Sequence, residues 1–129
     1  MDCIFCKIIS GEIPSETIYE DDIVKVFLDI DPITNGHVLI VPKKHILNYI
    51  DMDDNTLLHI YSIIKKLYPL FEEKIHCSGL TLMNNAFNAQ EVKHYHMHFI
   101  PRYPNDKVHF DSNEEILENI QIIKDKLVK

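Results

Sequence analysis

At 129 residues, with an apolar content ordinary for a soluble globular protein, the chain is long enough for one domain with its own core. No run approaches the ~20 apolar residues of a membrane span, so no membrane insertion is expected. The net charge of −7 argues against a broad nucleic-acid-binding surface and leaves any anionic ligand to be drawn in by local groups.

The first residues, Met1 to Lys7, lack the basic region and long apolar stretch of a signal peptide, and a cytoplasmic location is expected. Cys3 to Ser10 reads as a short helix, with Ile4, Phe5, Ile8 and Ile9 at helical spacing, stopped by Gly11 and followed by Pro14. Thr17 to Tyr19 is a short strand, Glu20 to Asp22 a turn, and Ile23 to Leu28 a second strand rich in β-branched and aromatic residues. Asp29 to Gly36 is a loop marked by Pro32 and Asn35-Gly36. His37 to Val41 is a third strand, whose near-continuous apolar run predicts burial on both faces.

Asp51 to Asp54 supplies caps for a long helix from Thr56 to about Ile75, which Pro69 should kink or break. Its wide apolar surface suggests burial on two sides, against a second subunit among other possibilities. Gly79 opens a fourth strand through Met83, and Asn84 to Val92 is a loop. A final helix capped at Asp111 to Glu115 runs to Val128. With no repeat or linker, residues 1–129 form one α+β domain with an antiparallel sheet of about five strands.

The fifth strand is the informative one. His94-Tyr95-His96-Met97-His98-Phe99-Ile100 alternates histidine with apolar residues. In a strand His94, His96 and His98 would share one face, about 6–7 Å apart, with Tyr95, Met97 and Phe99 on the core side. Packing gives no reason for a row of imidazoles. Such a row can chelate zinc, attack phosphorus as a nucleophile, or act as a proton switch. The preceding loop offers the neutral donors Asn84, Asn85, Asn88 and Gln90, which suit a phosphate whose charge must be held while a bond breaks.

Three cysteines, an odd number, argue against a disulfide framework. Cys3 and Cys6 form a C-x-x-C for which metal binding is a better functional reading than redox chemistry, because no strand precedes it. Two cysteines that merely line apolar space are the plain alternative. Cys77 reads as a core thiol. His59, His76 and His109 read as surface or packing residues.

The segment from His94 to Ile100 resembles the signature of the histidine-triad (HIT) family. Ile4-Phe5-Cys6-Lys7-Ile8-Ile9, Gly11-Glu12-Ile13-Pro14, Tyr19-Glu20-Asp21, Phe27-Leu28-Asp29-Ile30, Gly36 to Ile46, Asn84-Asn85 and Gln90-Glu91-Val92 resemble other family segments in the same order. The start and the spacing are closest to the Hint-like bacterial branch. The resemblance implies a HIT-like fold, a homodimer and a nucleotide hydrolase or transferase acting on purine nucleoside phosphoramidates, with adenosine 5′-monophosphoramidate the type substrate. Dinucleoside polyphosphates, or nucleotide binding with little turnover, are the alternatives.

By the same resemblance His96 is the nucleophile that becomes a nucleotidyl-histidine. His98 hydrogen-bonds the phosphate and ester oxygens, His94 orients the nucleophile and His37 completes the site. Asp29 takes the ribose hydroxyls. Phe5, Ile8, Phe27 and Ile30, with Ile4, form the purine slot, Asn84 lies near the ribose-phosphate, and Gln90 and Glu91 cradle the phosphate. Without the resemblance, Phe5, Ile8, Phe27 and Ile30 read equally as core, Asp29 as a turn residue and His37 as a strand cap. Some relatives hold a structural zinc through positions matching Cys3, Cys6, His45 and His94, and no catalytic metal is expected. Ala89 and Glu91 depart from the Gly and Ser that many relatives carry before the triad.

Overall fold

The computed structural model describes residues 3–108 and 117–128. The described residues form three helices and a five-stranded sheet: α1 (Ile4–Ser10), β1 (Thr17–Glu20), β2 (Val24–Leu28), β3 (Val38–Pro42), α2 (Asp54–Ile75), β4 (Gly79–Met83), β5 (Met97–Arg102) and α3 (Ile120–Val128). The strand order is β1-β2-β3-β5-β4, antiparallel throughout. Among the described residues no helix is long and apolar enough to cross a membrane.

Every residue of β2 and β3 is buried, and the two-residue period of a strand divides them between two faces. Val24, Val26, Leu28, Val38 and Ile40 face α2, where Ile60, Ile63, Ile64, Leu67 and Phe71 meet them. Met97 and Phe99 of β5 join this core, and Phe99 stands edge-on to Phe71 at 4.9 Å. Phe27, Leu39 and Val41 face the other way and bury Phe5 and Ile8 of α1. Lys25 lies on this second face, and its buried ammonium donates to the Ile8 carbonyl (3.1 Å), a cation at the C-terminal end of α1. The functional side chains are built on this α1 face.

Some boundaries differ from the sequence reading. Pro69 does not break α2, which runs unbroken from Asp54 to Ile75. Proline removes one backbone hydrogen bond, while Leu67 before it and Phe71 and Ile75 after it anchor both halves in the core. The last helix starts later than expected, at Ile120, where the Asn119 side chain accepts from the Gln121 amide (2.8 Å). The expected cap at Asp111 to Glu115 and the residue His109 lie outside the described residues. Asp21 closes the β1–β2 turn by accepting from the Ile23 and Val24 amides, and takes His59 of α2 at 2.7 Å.

Gly36 precedes β3 with a φ of +87°, in the left-handed region, and an added Cβ would lie 2.5 Å from Ile75 Cδ1 and 3.2 Å from Pro101 Cγ. Gly36→Ala is expected to cost about 2–4 kcal/mol, from backbone strain and core displacement together. A thermal midpoint within a degree of the parent would contradict this.

Candidate active site

β5 begins only at Met97, so the three histidines do not stand in one strand row. β3 pairs with β5 only from Val38↔Phe99 to Ile40↔Met97. Beyond that the Pro42 carbonyl is met by a side chain, His94 Nε2 at 2.8 Å, and the Tyr95 amide turns to the Ile46 carbonyl (2.7 Å). The chain leaves the sheet there, and His94 parts from its neighbours. Its imidazole faces the cysteines, while His96 and His98 line a cavity of about 710 Å³ over the α1 face.

The hydrogen bonds fix where each imidazole carries its proton. His96 Nδ1 lies 2.8 Å from the His94 carbonyl, which can only accept, so Nδ1 holds the hydrogen and Nε2 keeps its lone pair. Phe5 stands edge-on to the His96 ring, 5.0 Å between centroids, and limits its rotation. A second chain starts at the Ile33 amide, which donates to His37 Nδ1 (2.9 Å). The proton of neutral His37 is then on Nε2, 2.9 Å from His98 Nδ1. His98 therefore carries its own hydrogen on Nε2 and can donate it to a ligand.

Burial, reinforced by the neighbouring His98, holds His37 down at about 3, and burial beside His96 holds His98 at about 4. Both rings stay neutral near pH 7, as the donor chain requires. In the unfolded chain each would titrate near 6.5. The stabilisation is therefore complete above about pH 6.5 and is lost as pH falls from there toward 4, by up to about 1.4 kcal/mol per pH unit for each ring. A thermal midpoint that falls between pH 7 and pH 5, less steeply in His37→Gln, is the expected result, and equal slopes in the two proteins would refute it.

Asp29 follows β2 and lines the cavity. Burial raises its pKa against the opposing hydrogen bond from the Asp31 amide to Oδ1 (2.9 Å). Its Oδ2 lies 3.6 Å from His37 Nε2, and with His37 neutral this is not an ion pair. Phe5, Ile8 and Phe27 line the same cavity with Ile4, and they are also core of the smaller apolar cluster. Ile30 also lines the cavity and is 86% exposed, which makes it part of the rim and not of the core.

Asn84 and Gln90 are not among the residues that line this cavity. Asn84 turns its amide to the His96 carbonyl (3.0 Å) and so braces the backbone at His96. Gln90 is buried and donates to the Leu47 carbonyl, which pins the pre-triad loop. Asn85 and Met83 line the cavity in their place. Leu39 and Met83 both pair with His98, so all three side chains share a face. Glu91 is exposed and lines the cavity wall.

Behind His94 the sulfurs of Cys3 and Cys6 and ring nitrogens of His45 and His94 all lie within 4.8 Å of one another. Cys3 Sγ is 3.3 Å from His94 Nδ1, and Cys6 Sγ is 3.3 Å from His45 Nδ1 and 3.6 Å from His94 Nδ1. A tetrahedral zinc with ordinary bond lengths places sulfur and nitrogen about 3.5 Å apart. The hydrogen bond from His94 Nε2 to Pro42 leaves Nδ1 free as a ligand atom. Two thiols and two imidazoles in this arrangement are compatible with a structural zinc. Cys77 is buried apart from them as a free thiol, and no cysteine is in a disulfide.

The HIT domain family model matches residues 10–105. The chain is 47% identical to Protein hit of Bacillus subtilis over 103 residues, covering 78% of this chain and 71% of that one. It is 35% identical to adenosine 5′-monophosphoramidase hnt1 of Schizosaccharomyces pombe over 108 residues, covering 83% and 78%. A zinc-bound histidine triad family protein from Mycobacterium smegmatis superposes with a TM-score of 0.84 at 32% identity, covering 98% and 94%. The fold, the clustered histidines and these likenesses agree: the chain belongs to the histidine triad family.

Proposed function

We propose that the protein hydrolyses purine nucleoside 5′-phosphoramidates, adenosine 5′-monophosphoramidate among them, through a covalent nucleotidyl intermediate on His96. The observation that carries this reading is the free Nε2 lone pair of His96, set by the bond from Nδ1 to the His94 carbonyl and exposed to a cavity with a neutral donor beside it. The name of the fission-yeast relative supports the same substrate class.

The purine enters the slot of Phe5, Ile8 and Phe27, and Asp29 accepts from the ribose hydroxyls. His96 Nε2 attacks the α-phosphorus while the bond to the leaving nitrogen breaks. That nitrogen is protonated from solution and departs as an amine. His98 Nε2–H donates to a phosphoryl oxygen and stabilises the charge that gathers there. His37 holds His98 in the donating tautomer. Water then attacks phosphorus, the phosphorus–Nε2 bond breaks, the water proton passes to solvent, and His96 is regenerated as the nucleoside monophosphate leaves.

We also assign a structural zinc to Cys3, Cys6, His45 and His94. When bound, it clamps the N-terminal segment to the pre-triad loop and takes no part in the reaction. The active assembly proposed is a homodimer, for which exposed Leu58 and Tyr61 on α2 supply apolar surface. Mixing the protein with an adenosine phosphoramidate and reading the intact mass tests the function. An adenylyl adduct with release of AMP is expected. Tight AMP binding with neither adduct nor release would replace the hydrolase with a nucleotide-binding module.

A further inference from the structure

The two N-terminal cysteines sit apart from the reacting groups, yet they touch what positions them. Cys3 caps α1 in an extended conformation (φ −104°, ψ 115°), and its sulfur accepts from the Cys6 amide (3.3 Å) across the first turn. The two sulfurs lie within 4.8 Å of one another. His94 donates from Nε2 to the Pro42 carbonyl, so its Nδ1 faces both sulfurs as an acceptor, 3.3 Å from Cys3 and 3.6 Å from Cys6. A groove of about 410 Å³, lined by Cys3, His45, Leu47 and Lys93 among others, opens onto this cluster. A small solute can therefore reach Cys3, although the residue is largely buried.

Cys3 and Cys6 have no competitor for one another. Cys77, the third thiol, belongs to the core between the sheet and α2, on the face opposite α1. Residues three apart at the start of a helix bring their side chains to one side, and C-x-x-C is a spacing at which two thiols close a reversible disulfide. Metal and redox use of such a pair compete. Zinc needs both sulfurs as thiolates, and a disulfide sulfur has no charge to offer it. A disulfide within one turn puts little constraint on the rest of the chain. Its effect comes from what it removes, the tie from α1 to His45 and His94. α1 carries Ile8 of the slot and Phe5, which stands edge-on to both His94 (5.9 Å) and His96 (5.0 Å).

We propose that Cys3 and Cys6 form a peroxide-sensitive pair whose oxidation to a disulfide expels zinc and releases α1 from the histidine segment. The chemistry balances with hydrogen peroxide as the two-electron oxidant. The Cys3 sulfur attacks one peroxide oxygen, the O–O bond breaks, and the departing hydroxide takes a proton to become water. The Cys6 sulfur then attacks the sulfenic sulfur of Cys3, the S–S bond forms, the S–O bond breaks, and a second water departs. Each sulfur gives up one electron, and the peroxide is reduced to two waters. The inference rests on the zinc assignment for its effect on α1, and on the two cysteines alone for the oxidation.

The test treats the zinc-loaded protein with hydrogen peroxide and follows mass, metal and stability. Intact mass is expected to show the loss of two hydrogens, and digestion without reductant to place the bond within the peptide from Met1 to Lys7. A chromogenic chelator should record one zinc released for each disulfide formed, and the thermal midpoint should fall by roughly 10 °C. Dithiothreitol with added zinc should reverse all of these changes. Cys77→Ala should react as the parent does, whereas Cys3→Ser should form no internal disulfide. Zinc that stays bound, with both thiols intact in excess peroxide, would overturn the inference and leave the zinc assignment standing. Sulfinic or sulfonic acids in place of the disulfide would do the same. A disulfide formed in protein that never carried zinc would remove both the release and the zinc assignment.

Discussion

His96→Ala is expected to form no nucleotidyl adduct and to lose hydrolysis by about 10⁴-fold or more, with nucleotide affinity changed only a few-fold. The size follows from the role. Removing a nucleophile removes the covalent route, not one contribution to it, and whatever rate persists comes from binding and hydrogen-bond donation to the phosphate. The alanine leaves the slot of Phe5, Ile8 and Phe27 and the Asp29 carboxylate in place, so AMP should still bind. His98→Ala should be milder, about 10²–10³-fold, because it deletes a donor and not the bond-forming atom. Intact mass spectrometry under single-turnover conditions, beside steady-state AMP release, separates the cases. An adduct in His96→Ala, or hydrolysis near the parental rate, would remove His96 from its assigned role.

The second large effect concerns the metal. The purified protein is expected to carry about one zinc per chain, and Cys6→Ser to lose most of it along with roughly 10 °C of thermal midpoint, a cost of several kcal/mol. The loss is smaller than in a zinc finger, which has little other core, because here the α2 core stands independently of the cysteines. Residual activity should exceed that of His96→Ala, since the nucleophile and its carbonyl partner both remain. Elemental analysis and thermal unfolding with and without added zinc decide the matter. Metal-free protein whose midpoint does not move on zinc addition would end the assignment.

Much of the α1 face could be read from sequence, because it depends on local pattern. The apolar run in β3 predicted a strand covered on both sides, and it is, as is β2, which was read only as a strand. Helix α1 carries its own start and stop in Cys3 and Gly11. The histidine row failed where a long-range contact intervened. Nothing near His94 announces that its ring will occupy the Pro42 carbonyl, 52 residues earlier, and thereby end the strand early. The partners of Asn84 and Gln90 were hidden for a related reason. An amide can serve a ligand or a backbone carbonyl equally well, and only the folded path shows that the His96 and Leu47 carbonyls are within reach. Asn119 was legible in principle as a helix cap, but acidic residues upstream offered a stronger local pattern. The family segments carried the rest of the site, and the packing explains why: α1, β2 and β3 are held to the histidines by one shared face of the sheet.

The protons at this site are placed by main-chain atoms. The Ile33 amide sets His37, the His94 carbonyl sets His96, and the Pro42 carbonyl sets His94. Replacing a side chain at position 33 or 42 leaves the deciding atom where it was. Point substitutions therefore do not report on these atoms, although they govern which nitrogen of His37 and of His94 carries the hydrogen. The chemistry here is written in the route of the chain as much as in its residues, and only backbone editing, such as exchanging the Ile33 amide for an ester, addresses it directly.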